Sequence, residues 1–232
     1  MRVYCIQHVS FEKPAMIEDF FTERGAVFSS VCMSEGDSLW EDVPDVLVVM
    51  GGPMGVSDDA IYPWLRDEKA YIERCLKAGI KIIGVCLGAQ ILASILGASV
   101  SRAEKGKEIG WFPVFVSPEG SHTSIGSSLP VSFMAFHWHG DEFSLPPGAV
   151  SLFYNHHTQV QGFLWDDRVL ALQFHLEVTE DLVVSLVDNC AAELADGGDD
   201  VMSSAAILAG ARLYKDAFRT LLFPILSDFM SL

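Results

Sequence analysis

Cys86 lies in Gly84-Val85-Cys86-Leu87-Gly88, a thiol with a glycine two residues away on either side. With serine at its centre, this pattern marks a sharp strand-to-helix turn that lifts a nucleophile out of the top of a sheet. The glycines let the chain pass close to itself. A helix starting at Leu87 would aim its positive end at the sulfur and favour the thiolate. The same five residues also suit a buried structural cysteine with glycines for close packing. A nucleophile needs a base, and the base needs an orienting group. His175 ends the apolar run Leu172-Gln173-Phe174-His175, and Glu177 follows two residues on, on the same side of an extended chain. Acyl transfer also requires donors for the negative charge that develops on the attacked carbonyl oxygen. The backbone N–H groups of Leu87 and of Gly52, in Gly51-Gly52-Pro53, are the candidates.

Each of these segments must stand at the end of a strand. Residues 2–8, 27–33, 45–50 and 80–85 read as strands, the last two apolar enough to be buried on both faces. Helices are predicted over 14–25, with Pro14 at the first position and Gly25 as the cap, and over 63–77, closed by Gly79. Strand, helix, strand, helix in this order predicts right-handed crossovers and an α/β fold, a mostly parallel sheet flanked by helices. Ligands of such sheets sit at the carboxyl ends of the strands, where 51–53 and Cys86 fall. From 98 to 174, short β-like runs separated by Gly, Pro and Ser predict an antiparallel β extension. Thr179 caps another helix, with Glu180 and Asp181 in its first turn. Beyond Asp196-Gly197-Gly198-Asp199-Asp200, the residues Ile207, Ala211, Tyr214, Phe218, Leu221 and Ile225 recur at spacings of three and four. This stripe predicts a C-terminal amphipathic helix that docks on its own domain or on a second copy, making a homo-oligomer. The chain divides accordingly into a domain over 1–196 and a helical extension over 197–232.

Together, Gly51-Gly52-Pro53, Gly84-Val85-Cys86-Leu87-Gly88-Ala89-Gln90 and Gln173-Phe174-His175-Leu176-Glu177 resemble the three signature segments of class I (triad) glutamine amidotransferases. The resemblance covers the chain up to the neighbourhood of Cys190 and is nearest to the GMP synthetase glutaminase domain and its stand-alone relatives. It implies a flavodoxin-like glutaminase domain in which Cys86 attacks the side-chain amide of glutamine, His175 moves protons and Glu177 orients it. By the same resemblance, Gly52 and Leu87 form the oxyanion hole and Gln90 contacts substrate. Gly110 and Trp111, in Ile109-Gly110-Trp111, and Trp138 and His139, in Trp138-His139-Gly140-Asp141, line the glutamine pocket; no cofactor and no metal are implied. Leu176 stands where the family usually has proline, which leaves the geometry of the His–Glu pair less pre-set. The chain has neither a G-x-x-x-x-G-K-[ST] nor an S-G-G-x-D-S loop, so released ammonia would reach an acceptor on a separate partner, such as a synthetase subunit. Two alternatives stand beside this reading: a γ-glutamyl peptide or conjugate hydrolase with the same triad, and a catalytically weak regulatory module.

Composition bounds the partners. The 232 residues are 50% hydrophobic and 20% charged, and Lys+Arg 15 against Asp+Glu 31 gives a net charge of −16, which repels phosphate backbones and excludes nucleic acid. Five scattered cysteines without a C-x-x-C pair point to a reducing cytoplasm rather than a disulfide framework or a zinc knuckle. The amino terminus turns polar too soon for a signal peptide. Residues 82–101 carry no charge, but their glycines, serines and Gln90 divide them into strand, turn and helix, so no membrane span is expected. His137 and His139 share a face at a spacing that can bind a metal; they are read as hydrogen-bonded histidines at the pocket edge. His156 and His157 are read as solvated, and His8 as core or rim near the site. Cys5, Cys32, Cys75 and Cys190 are read as core, and Asp196, Asp199 and Asp200 as a solvated linker. Trp111, Trp138 and Trp165 are read as core or rim.

Overall fold

The computed structural model describes residues 1–232. Its elements run β1 (Arg2–Gln7), α1 (Met16–Thr22), β2 (Val27–Cys32), β3 (Val46–Val49), α2 (Trp64–Lys77), β4 (Lys81–Val85) and α3 (Leu87–Ile95). There follow β5 (Val100–Arg102), β6 (Glu108–Val116), α4 (Ser124–Ser127), β7 (Ser132–His139), β8 (Asp141–Phe143), β9 (Ala149–Tyr154), β10 (Gly162–Trp165) and β11 (Val169–Leu172). Helices α5 (Glu180–Asn189), α6 (Ala191–Ala195) and α7 (Ser204–Ser231) complete the chain. No helix is long and apolar enough to cross a membrane; the uncharged run 82–101 is β4, the turn and α3, as its glycines and polar residues predicted.

Nine strands form one sheet in the order β2-β1-β3-β4-β11-β10-β9-β6-β7, and β5 and β8 form a separate pair. The first five strands are parallel, and β10, β9, β6 and β7 continue antiparallel. The predicted antiparallel extension is therefore present, with one correction: the run ending at Phe174, read as part of that extension, joins the parallel half of the sheet. As β11 it pairs parallel with β4, Leu172 opposite Val85. A continuous apolar strand buried on both faces belongs in the middle of a covered sheet. This placement brings the carboxyl ends of β4 and β11, and so Cys86 and His175, side by side.

Alternation along the central strands separates two cores. Val46 and Val48 join the cluster that also holds Phe20 and Phe21 of α1, Val183 of α5 and Phe229 of α7. Leu47 and Val49 join the cluster with Ile72 of α2 and Leu92 of α3 on the other face. Helix α1 is shorter than the predicted 14–25, because Ala15 holds a positive φ of 39° and delays its start to Met16.

The C-terminal stripe docks on its own sheet. Ile207, Ala211, Phe218 and Ile225 are buried in the first core with Leu222, Leu226 and Phe229, while Tyr214 and Leu221 pack partly buried against it. The stripe is thereby spent within the chain rather than offered to a second copy. Trp111 Nε1 donates to the Ile207 carbonyl at 2.8 Å, and its ring lies against Tyr214 and Phe218. The segment joining α6 to α7 is not a loose tether. Ile109 N–H donates to the Asp200 carbonyl and Met202 N–H to the Ile109 carbonyl, each at 2.9 Å, so the chain runs beside β6. His157 and Asp200, read as solvated, instead pair at 2.8 Å with His157 buried, whereas His156, Asp196 and Asp199 are exposed as expected.

Gly210 is where α7 approaches Trp111 closest; a Cβ there would lie 2.1 Å from Nε1. Gly210→Ala should therefore destabilise by about 1–2 kcal/mol in urea unfolding, overpacking outweighing the gain of about 1 kcal/mol in helix propensity. Truncation after Asp196 should expose the first core and yield a poorly soluble chain; unchanged solubility and melting temperature would show that α7 contributes no packing.

Candidate active site

Cys86 sits between β4 and α3 with φ 52° and ψ −109°, a conformation that costs an L-residue about 1–3 kcal/mol unless its surroundings impose it. The surroundings do impose it. A Cβ on Gly88 would lie 2.1 Å from the Val49 carbonyl oxygen, and one on Gly84 would lie 2.5 Å from Leu92 and 2.8 Å from Gly88. These contacts press α3 against β3 and β4 and turn the thiol outward. The sulfur approaches the Trp138 carbonyl at 3.6 Å. Burial pushes the thiol's pKa up; hydrogen bonding and charge from His175 draw it back, and the Leu87 N–H adds to that.

His175 is fixed through its backbone, its N–H donating to the Phe136 carbonyl at 2.8 Å and its C=O accepting from Phe136 N–H at 3.2 Å. Its Nδ1 meets Glu177 Oε1 at 2.6 Å, both side chains buried. The Glu177 carbonyl in turn accepts from Met16 N–H at 3.1 Å at the start of α1. Backbone bonds on either side of Leu176 thus pre-set the i, i+2 geometry for which proline would otherwise serve, and the Leu176 side chain fills the core. Burial alone would lower the His175 pKa, but the Glu177 charge and hydrogen bonds to Cys86 and Glu177 raise it well above its ordinary value.

Cys86 and His175 open on a cavity of about 440 Å³ that Gly52, Gln90, Trp138 and His139 also line. Gln90 Nε2 donates to Gln173 Oε1 at 3.1 Å, which fixes its amide at the wall. Gly110 and Trp111, expected in the pocket, do not line it. Gly110 faces Met202 and Trp111 anchors α7; both side-chain positions are taken by the C-terminal extension, which comes from outside the segment the resemblance covers. His139 reaches the cavity but also enters a buried hub on Glu108, whose position opposite His139 follows from the β6–β7 register.

Glu108, His137 and His139 bring donor atoms within 4.8 Å of one another, the one grouping with metal-site geometry. Glu108 Oε2 accepts from His139 Nε2 at 3.0 Å and Gln161 Nε2 at 2.9 Å, with His137 Nδ1 at 3.1 Å, while Oε1 accepts from Asn155 Nδ2 at 2.6 Å. Three hydrogen bonds and the His137 contact engage the carboxylate, and the arrangement is a buried hydrogen-bonded hub. Burial would raise the Glu108 pKa; the charges and hydrogen bonds of His137 and His139 outweigh it and hold the carboxyl well below the carboxylate range.

Three acidic residues carry no motif and emerge only from the fold: Glu108, Glu68 beneath His8, and Glu12. Glu12 lines the cavity. Its Oε2 would be 2.3 Å from a Cβ on Gly51, with Cys86 Cβ and His175 Cε1 each 3.4 Å from the same point. Glu12 follows His8 at the carboxyl end of β1, a strand-end position that was the available signal.

The class-I glutamine amidotransferase family model matches residues 16–191. The glutamine amidotransferase-like protein YfeJ of Salmonella typhimurium is 29% identical over 201 residues, 84% of each chain. Gamma-glutamyl peptidase 3 of Arabidopsis thaliana is 25% identical over 174 residues, covering 71% of this chain and 69% of that one. Among solved structures, a glutamine amidotransferase from Thermotoga maritima superimposes with a TM-score of 0.89 at 32% identity, covering 99% of this chain and 97% of the other. A motif set, a fold and a site geometry that agree with these similarities place this chain in the class-I glutamine amidotransferase family.

Proposed function

We propose that the chain hydrolyses a γ-glutamyl amide through a thioester on Cys86, the reading carried by one observation: Cys86, Gly52 and His175, the last backed by buried Glu177, face a single cavity. His175 takes the thiol proton as sulfur adds to the amide carbon, and the carbonyl electron pair moves to oxygen, where Leu87 and Gly52 N–H donors meet it. Collapse breaks the C–N bond, His175 returning the proton to the leaving nitrogen. Water, deprotonated by His175, then adds to the thioester and regenerates the thiol with release of glutamate. Glutamine is the primary substrate of this proposal, its ammonia passing to an acceptor on a separate protein. Gln90, Trp138 and His139 contact the glutamyl part. Five unpaired thiols support a reducing, cytoplasmic setting.

The cavity of about 440 Å³ favours a second reading, a γ-glutamyl peptide or conjugate with a leaving group larger than ammonia, and similarity to proteins named gamma-glutamyl peptidase supports it. Ammonia release from glutamine, compared with amine release from γ-glutamyl dipeptides, decides between them, with Cys86→Ala as blank. That variant should fold within about 1 kcal/mol of the parent and show no turnover; undiminished hydrolysis would remove the covalent mechanism. Glu177→Gln should lose less, about 10²–10⁴-fold, since it disturbs the orientation of His175 rather than bond making.

Glu12 modulates the thiol. Burial pushes its carboxyl up to about 7, and its negative charge beside Cys86 raises the thiol's pKa. Glu12→Gln should therefore move the pH midpoint for iodoacetamide labelling of Cys86, followed by peptide mass mapping, to lower pH. Because the folded-state pKa lies above the unfolded one, the neutral acid's stabilising contribution is full below about 4.5 and is lost as pH rises through about 7. Melting scans should show Glu12→Gln matching the parent at low pH, gaining on it between about 4.5 and about 7, and holding a constant lead above that.

A further inference from the structure

His8 follows β1 and has no exposed surface. Its Nδ1 lies 2.8 Å from the Gly51 carbonyl oxygen, and its Nε2 lies 3.0 and 3.2 Å from the two oxygens of Glu68 on α2, itself fully buried. A carbonyl oxygen only accepts, and so does a carboxylate, so both ring nitrogens carry protons and the pair is a buried imidazolium–carboxylate. Burial opposes the His8 charge, and the charge and hydrogen bond of Glu68 outweigh it. Such pairs contribute little net stability, since desolvation cancels most of the attraction, but they do fix orientation.

What they orient is the Gly51–Gly52 peptide. Its C=O and N–H point in opposite directions because the peptide is trans. Holding the carbonyl toward His8 turns the Gly52 N–H to the other side, where Gly52 borders the cavity. No protein acceptor takes that N–H. Two successive glycines would otherwise let this peptide rotate at little cost, aiming the carbonyl into the cavity. A rotated peptide would set its N–H against the His8 N–H, donor against donor, leaving both unpaired in the interior. Resting on the amide-hydrolase reading above, we propose that His8, held by Glu68, is a positioning residue that locks the Gly51–Gly52 peptide with its N–H toward the substrate's carbonyl oxygen.

The test compares glutamine or γ-glutamyl amide turnover with iodoacetamide labelling of Cys86, a displacement at a saturated carbon that forms no oxyanion. His8→Phe keeps a planar ring and removes both donors. It should lower kcat about 100-fold, the loss expected for one oxyanion donor, with KM and labelling rate within about threefold. His8→Asn offers an amide N–H to the Gly51 carbonyl and should recover about tenfold of that loss. A kcat for His8→Phe within about threefold of the parent, or labelling that falls as far as kcat, overturns the proposal. Should His8→Phe fail to fold, Glu68→Gln takes its place: kcat about tenfold lower with unchanged labelling supports the lock, and parental kcat overturns it. A parent protein that turns over neither substrate overturns the amide-hydrolase reading itself, a result seen before any variant is compared.

Discussion

The left-handed turn at Cys86 is the constraint around which the rest of the molecule is arranged. A residue with a side chain held at φ 52° is stable only where the neighbouring chain leaves no alternative. Here Gly84 and Gly88 allow β3, β4 and α3 to approach until a single additional carbon would overlap Val49, Leu92 or the Gly88 backbone. The Cys86 N–H is taken by the Leu172 carbonyl at 2.8 Å and the Gly88 N–H by the Met50 carbonyl at 3.1 Å. The elbow is thus tied to the two strands on either side of β4. The strain is held by the centre of the sheet, its most deeply buried part.

From that elbow the other groups are placed by strand ends rather than by loops. β3 delivers Gly51 and Gly52, β11 leads to His175 and Glu177, and β1 leads to His8 and Glu12. A site assembled this way gains precision because each strand is fixed by its neighbours along its length. It also gathers charge: the cavity region holds the His175–Glu177 and His8–Glu68 pairs, the Glu108 hub, and Glu12 without a protein partner for its side chain. In a buried region these groups shift one another's ionisation, which is how a thiol raised by burial is brought back toward reactivity.

The C-terminal helix uses residues that the family resemblance assigned to the pocket. Trp111 and Gly110 face α7 and the strand-like segment before it, and Trp111 packs between Phe136 and the ring pair Tyr214 and Phe218. The helix covers the face of the sheet that α1 and α5 leave open. It is part of the core that supports the back of the site, although it contributes no residue to the cavity lining.

The residues that meet around the cavity were legible in the sequence because their constraints are local. An elbow needs glycines at fixed offsets, an i, i+2 pair needs only an extended chain, and a strand-end Gly-Gly-Pro needs only the apolar run before it. The parallel sheet was legible for the same reason, since periodicity and chain order specify it. The pairing of β11 with β4, the burial of His157 and the docking of α7 on Trp111 depend on contacts between residues far apart in the chain, which no window of sequence contains. Glu12, Glu68 and Glu108 look in sequence like ordinary surface acids. Only the folded chain buries Glu68 and Glu108 against histidines and sets Glu12 on the cavity wall beside Cys86, because burial and partner geometry, not residue type, decide what a carboxylate does.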